Sequence, residues 1–170
     1  MRYVLVGVSL VAAILVLTTA EAVAQPLPAA VAVDHDSAVS RLLDLTNTER
    51  DRMGLTRLAL SPALQLAAQS YTTVLASSDC FAHTCGPVPN VVDRDAVAGY
   101  AGWWSLGENL AGGYPTPEDV IAGWMASSEH RANILSANFT DIGIGVASGS
   151  GRLRVYWAEE FGTRDQDSAN

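Results

Sequence analysis

Three side chains in this sequence are of types that can carry metal or acid–base chemistry: His83, Glu108 and His130. His83 and His130 are the only histidines beyond an N-terminal lead-in, and Glu108 sits in a glycine-flanked stretch read as a turn. Imidazole nitrogens and a carboxylate suit a divalent, zinc-like ion. Two His and one Glu around an open coordination position would polarise a carbonyl or activate water. The same groups can brace a cleft by hydrogen bonds alone, with no cofactor required, and that reading is preferred here. Their spacing is non-local, so the chain alone does not bring them together.

Other chemistries fit less well. All ten basic residues are Arg, and without Lys there is no Schiff base, lysine base or Walker-type phosphate loop. There is no G-x-S-x-G elbow. Ser127 and Ser128 lie near His130, but no orienting acid or oxyanion hole can be assigned to them. Glu159 and Glu160 alternate across a strand and face opposite ways, so they do not form a glycosidase pair. A net charge of -8 without a basic stripe argues against nucleic acid as a partner. Cys80 and Cys85 are the only cysteines. A disulfide closing that small loop is preferred over a site in which His83 joins two thiolates, a spacing that matches no standard zinc pattern.

The elements that must position these groups follow from periodicity. Asp36 or Ser37 caps a first helix with Val39, Leu42, Leu43 and Thr46 inward, and Gly54 stops it after Arg50 and Arg52. Ser61 and Pro62 open a second helix carrying Leu64, Ala67, Ala68, Tyr71, Val74 and Leu75. From Ser77 to Gly102 periodicity fails and a long, partly irregular connection stapled by the cysteines is expected. Trp103 and Trp104, beside Tyr100, read as packing or shielding aromatics. Thr116, Pro117 and Asp119 begin a helix presenting Val120, Ile121, Trp124 and Met125, and Ser128 caps a short one through Leu135. Two strands close the chain: Ile142, Ile144 and Val146 alternate with glycines, which suggest close approach by another element. After the turn at Ser148–Gly151, Leu153, Val155, Trp157 and Phe161 share one face of the return strand.

The N-terminus reads as an export signal. Arg2 precedes an uncharged apolar run, Tyr3 to Leu17, and Ala22-Val23-Ala24 offers a cleavage site after Ala24. The run is shorter than the about 20 residues of a membrane-spanning helix, a retained anchor being the alternative. The expected organisation is a signal peptide at 1–24, a flexible lead-in at 25–36, one domain at 37–163 and a polar tail at 164–170. No transmembrane segment is expected after cleavage. About 145 residues remain, enough for one core that buries about two-thirds of the unfolded surface.

Several strings, in order, resemble bacterial members of the CAP superfamily (cysteine-rich secretory, antigen 5 and pathogenesis-related-1; SCP-like domains). They are Leu43-Asp44-Leu45-Thr46-Asn47-Thr48-Glu49-Arg50, Phe81-Ala82-His83-Thr84, Gly107-Glu108-Asn109-Leu110-Ala111, and the run from Trp124 through Ser127, His130, Arg131 and Asn133 to Leu135. Ile142 to Ala147 and Tyr156-Trp157 to Phe161-Gly162 complete the match, which covers about Ala38 to Gly162.

The resemblance implies an α+β fold, a three-layer α-β-α sandwich, with a cleft lined by His and Glu. It is the resemblance that places His83, Glu108 and His130 together. The chain departs from the eukaryotic pattern, with Tyr156 where a second cleft histidine stands, Glu159 at a usual Gln and Glu160 at a usual apolar residue. Glu129 replaces a Gly of the bacterial pattern; a fourth acidic cleft residue is one reading, and a solvated carboxylate the preferred one. The function implied is a secreted, extracellular or cell-envelope binding module, non-catalytic and monomeric. Its partner would be an extracellular protein or a lipid, since some family members bind sterols or other lipids. The alternative is a metal-dependent hydrolase or peptidase using the same cleft.

Overall fold

A computed structural model describes residues 34–164. The expected signal peptide, most of the lead-in and all but the first residue of the tail lie outside the described residues.

Helix α1 (His35–Arg52) starts two to three residues earlier than expected, with Asp34 at the cap position and Asp36 inside the first turn, where a carboxylate suits the positive helix end. Gly54, at φ 69°, turns the chain after it. Arg50 is not the solvated C-terminal charge that its position suggests. It is buried and donates to the carbonyls of Thr56, Ile134, Ser136 and Phe139. A short strand β1 (Ala59–Leu60) leads into α2 (Pro62–Ser78), with Pro62 in the first turn as read from sequence. The Ser77–Gly102 connection is partly irregular, as expected. It contains α3 (Val91–Val97), whose N-cap Asn90 accepts from the Asp93 N–H at 3.1 Å. Strand β2 (Trp103–Gly112) follows, so Glu108 stands on a strand and not in a turn. Helices α4 (Pro117–Ala126) and α5 (Ser128–Ile134) and strands β3 (Asp141–Ser148) and β4 (Val155–Arg164) complete the order.

The sheet has four strands in the order β1-β3-β4-β2, with β1 parallel to β3 and the others antiparallel. Each face has its own core. On one, Val39, Leu42, Val120, Trp124 and Ile134 of α1, α4 and α5 pack on Ile142, Ile144, Trp157 and Phe161. On the other, Ala68, Tyr71 and Leu75 of α2 pack on Leu110, Tyr156 and Ala158. This is the three-layer α-β-α sandwich, and the strand alternation sends Glu108 and Glu160 toward α2, and Asn109 and Glu159 toward α1 and α5.

The edge of β3 beyond β1 is closed by side chains. Gln65 donates to the Ile144 carbonyl (2.5 Å) and accepts from its N–H (3.0 Å), and Gln69 does the same for Val146 at 3.0 and 3.0 Å. Two glutamines thus satisfy backbone groups that an open edge would offer to another chain.

Candidate functional site

Glu108 is positioned by β2 and paired with Glu160 on β4. Its carboxylate is almost fully buried, and both oxygens are engaged: Oε1 accepts from His83 Nδ1 at 2.5 Å and Oε2 from Arg94. Arg94 also donates to Glu160 Oε1 (3.1 Å) and to the carbonyls of His83 (3.1 Å) and Pro89 (3.0 Å). Its guanidinium carbon lies 3.5 Å from the centroid of the Tyr71 ring. Asp95 is fully buried beside it, and neither of its carboxylate oxygens has a hydrogen-bond partner among the described residues. Two buried carboxylates therefore share one guanidinium, and a third is buried near enough to feel its charge.

Such an excess of buried negative charge favours protons. Desolvation pushes Asp95 up to about 7, with Glu108 adding to the rise and Arg94 opposing it. Desolvation likewise raises Glu160 well above the usual carboxylate range, reinforced by Glu108 and Asp95 and opposed by Arg94. On the opposite face Glu159 is fully buried and raised to about 7 by desolvation, although Thr46 (2.6 Å) and Asn109 (3.2 Å) donate to it.

His83 projects from the Cys80–Cys85 loop, and its side chain is largely exposed. The cysteines are joined to each other, so the alternative in which His83 and two thiolates bind a metal is overturned. The loop is also tied by the Tyr71 hydroxyl donating to the Ala82 carbonyl at 2.8 Å. Replacing both cysteines by Ser should remove about 2 kcal/mol, the loop-closure value for so short a ring, and lower Tm by about 5–10 °C in calorimetry. A change under about 1 °C would mean that Tyr71 and Arg94 hold the loop unaided.

His130 comes from α5, in the layer opposite α2. Its Nδ1 is buried without a partner among the described residues, while its carbonyl accepts from Asn109 at 3.2 Å. Burial lowers its pKa, the neighbouring His83 lowers it further, and Glu129 opposes. The structure thus brings His83 and Glu108 into contact and sets His130 close enough to His83 for the two imidazoles to repel each other when charged. Tyr156 is fully buried and donates to Asp79 at 2.8 Å, and Glu129 is exposed.

The zinc-like ion that the residue types of His83, Glu108 and His130 suggest does not fit this donor set. Among the described residues no three His, Cys, Asp or Glu side chains form a group that would hold a metal. Both Glu108 oxygens are already engaged. Arg94 and Asp95, central to the cluster, carry no signal in a single sequence, because they lie in the stretch where periodicity fails.

Two apolar-edged cavities flank this cluster. One, about 240 Å³, lies between α2 and α3; the other, about 310 Å³, lies at the outer edge of β2 and is lined by Phe81, Tyr114, Trp124 and His130 among others.

A three-layer sandwich with a buried Glu on the edge strand and a His on the disulfide loop defines the class to which comparison leads. Residues 43–161 match the CAP profile, the cysteine-rich secretory protein family, and the chain belongs to that family. It is 35% identical to the uncharacterized protein YkwD of Bacillus subtilis over 122 residues, 71% of this chain and 45% of that one. The chain thus spans less than half of this relative. Among solved structures, an extracellular SCP-domain protein of Bacillus anthracis matches at 25% identity and TM-score 0.69, covering 77% of this chain and 41% of that one. An outer surface protein of Borrelia burgdorferi shares the fold at 19% identity and TM-score 0.71, covering 79% of this chain and 98% of that one.

Proposed function

We propose that the chain acts outside the cell or in its envelope as a non-catalytic binding module that takes an acyl chain into the groove between α2 and α3. The groove itself is the main support. Leu66, Ala67, Tyr71, Val74, Val88 and Val97 line it, and Leu66 and Val97 stand 57% and 85% exposed at its rim. Covering such surface is favourable by about 25 cal/mol per Å². At about 240 Å³ the groove falls below the roughly 300–1,000 Å³ of sites for drug-sized molecules, so a flexible chain end suits it better than a rigid sterol. Arg94 reaches the wall, but its charge is directed at Glu108 and Glu160. The head group would therefore stay in solvent, and a fatty acid and its alcohol would bind alike.

The extracellular setting is supported by family membership, by the surface and extracellular relatives named above, and by the export-like N-terminus. No helix among the described residues is long and apolar enough to cross a membrane. Absence of catalysis is supported by Glu108, whose carboxylate is committed on both oxygens and so is poorly placed to take a proton from water.

Fluorescence titration with cis-parinaric acid tests the reading. Saturable binding is expected, insensitive to chelator, and weakened roughly tenfold by Ser70→Trp, which fills the groove from an exposed position on α2. No saturation, indifference to Ser70→Trp, or loss on chelation would each defeat it.

A further inference from the structure

The second cavity differs in chemistry from the groove. It lies at the C-terminal end of β2, on the outer side of the edge strand, and holds about 310 Å³. Phe81 and Tyr114 flank it at 46% and 36% exposure, two ring faces that nothing among the described residues covers fully. Trp124 forms the buried wall; its indole N–H donates to the Leu110 carbonyl at 3.1 Å, so only its ring is on offer. Gly123 lets Tyr114 lie along α4, since a Cβ there would stand 2.5 Å from the Tyr114 oxygen. The polar residues of the lining are Ser127 and His130, and the His130 Nδ1 is itself buried without a partner among the described residues. No carboxylate or guanidinium lines the cavity.

We propose that this cavity is a binding site for a neutral saccharide, stacked on Phe81 and Tyr114 and hydrogen-bonded by His130 and Ser127. The absence of charge in the lining disfavours phosphates, carboxylates and cations. A hydrocarbon chain would bury an imidazole and a hydroxyl unmet, a loss of about 1–3 kcal/mol for each such group. A sugar ring presents C–H faces to the aromatic rings and hydroxyls, which both donate and accept, to Ser and His. Exposed aromatic bodies with a few placed polar groups are the usual makeup of a small-molecule site. The inference rests on the binding-module reading but not on its acyl ligand, because the two cavities share no lining residue.

The test is a ¹⁵N–¹H titration of the purified chain, separately with chitotriose, maltotriose and cellotriose. At least one should give saturable shifts at the Gly112 and Gly123 amides and the Trp124 indole, with Val74 and Val97 unmoved. Phe81→Ala and Tyr114→Ala should each weaken binding by roughly three- to tenfold, the dispersion of the free spectra verifying their folds. The site is overturned if none of the three sugars saturates, if binding survives both substitutions together, or if dodecanoate produces the same shifts. Fatty-acid capture in the α2–α3 groove without a sugar response overturns this site alone; a sugar response without fatty-acid capture overturns only the groove.

Discussion

Replacing Arg94 with Met should cost about 3–5 kcal/mol of stability near pH 8, the range for stripping one partner from a buried ion pair, and far less near pH 5. Arg94 is the cation tied to Glu108 and Glu160, and it opposes the rise of Asp95 and Glu160. Met keeps an unbranched apolar stem against Tyr71, so packing is partly retained and the charge is the main loss. Asp95 and Glu160 bind protons more tightly folded than unfolded. Their contribution is complete below the unfolded values, 3.8 for Asp95 and 4.5 for Glu160, and is lost as pH rises toward the folded ones. For Asp95 the rise from 3.8 to about 7 corresponds to roughly 4 kcal/mol, at 1.36 kcal/mol for each tenfold change in proton affinity.

The native chain should accordingly lose stability between about pH 4 and pH 7 through this cluster. Without Arg94 both folded values climb further, and the loss continues to higher pH. Urea unfolding at two pH values separates this from simple loss of contacts. The carbonyls of His83 and Pro89, left without their donor, weaken the variant equally at both. An equal total loss at the two pH values would mean that the carboxylates do not share the guanidinium as described. Asp95→Asn added to Arg94→Met should flatten the pH slope, since it removes the group with no hydrogen-bond partner in the cluster.

The layers were legible because their signals are local. Pro62 behind Ser61, the Thr116–Asp119 cap and the Ile142–Val146 alternation each depend on residues within a turn or a strand. Strand β2 was not read, because Gly107-Glu108-Asn109 resembles a turn by composition; only pairing with β4, some fifty residues away in sequence, makes it extended. The site was half legible. His83 and Glu108, both singled out by residue type, are in contact, but Arg94 joins them through a short helix hidden in a stretch without usable periodicity. Glu159 and Glu160 could be assigned to opposite faces from strand alternation, whereas their protonation depends on desolvation by elements far along the chain. Gln65 and Gln69 fall outside the apolar positions that mark α2 in the sequence, and nothing local shows that they cap a sheet edge.

The glycines of β3 lead to the other large expected effect: Gly143→Ala should destabilise the protein by more than about 4 kcal/mol, beyond the ordinary range for point substitutions. A Cβ at Gly143 would lie 2.0 Å from the Leu64 carbonyl carbon and 2.4 Å from the Gln65 nitrogen; one at Gly145 would lie 2.3 Å from the Ala68 oxygen. The match is periodic. Two residues of strand advance about 6.8 Å and four of helix about 6.0 Å, so Gly143 meets Leu64, Gly145 meets Ala68, and Gly149, just past the strand, meets Ala76. Helix α2 therefore lies backbone to backbone along a glycine track, which is what lets Gln65 and Gln69 reach the strand edge. Ala restricts the unfolded chain and gains about 0.4–1 kcal/mol on that account, too little to offset the clash. Gly107→Ala is the comparison: its Cβ would meet the tip of the Phe139 side chain at 2.8 Å, a group that can turn aside, and about 1–3 kcal/mol is expected. Parallel denaturation of the two variants decides the matter, for a Gly143→Ala loss no larger than that of Gly107→Ala would show that α2 rides higher over the sheet than the close backbone approach requires.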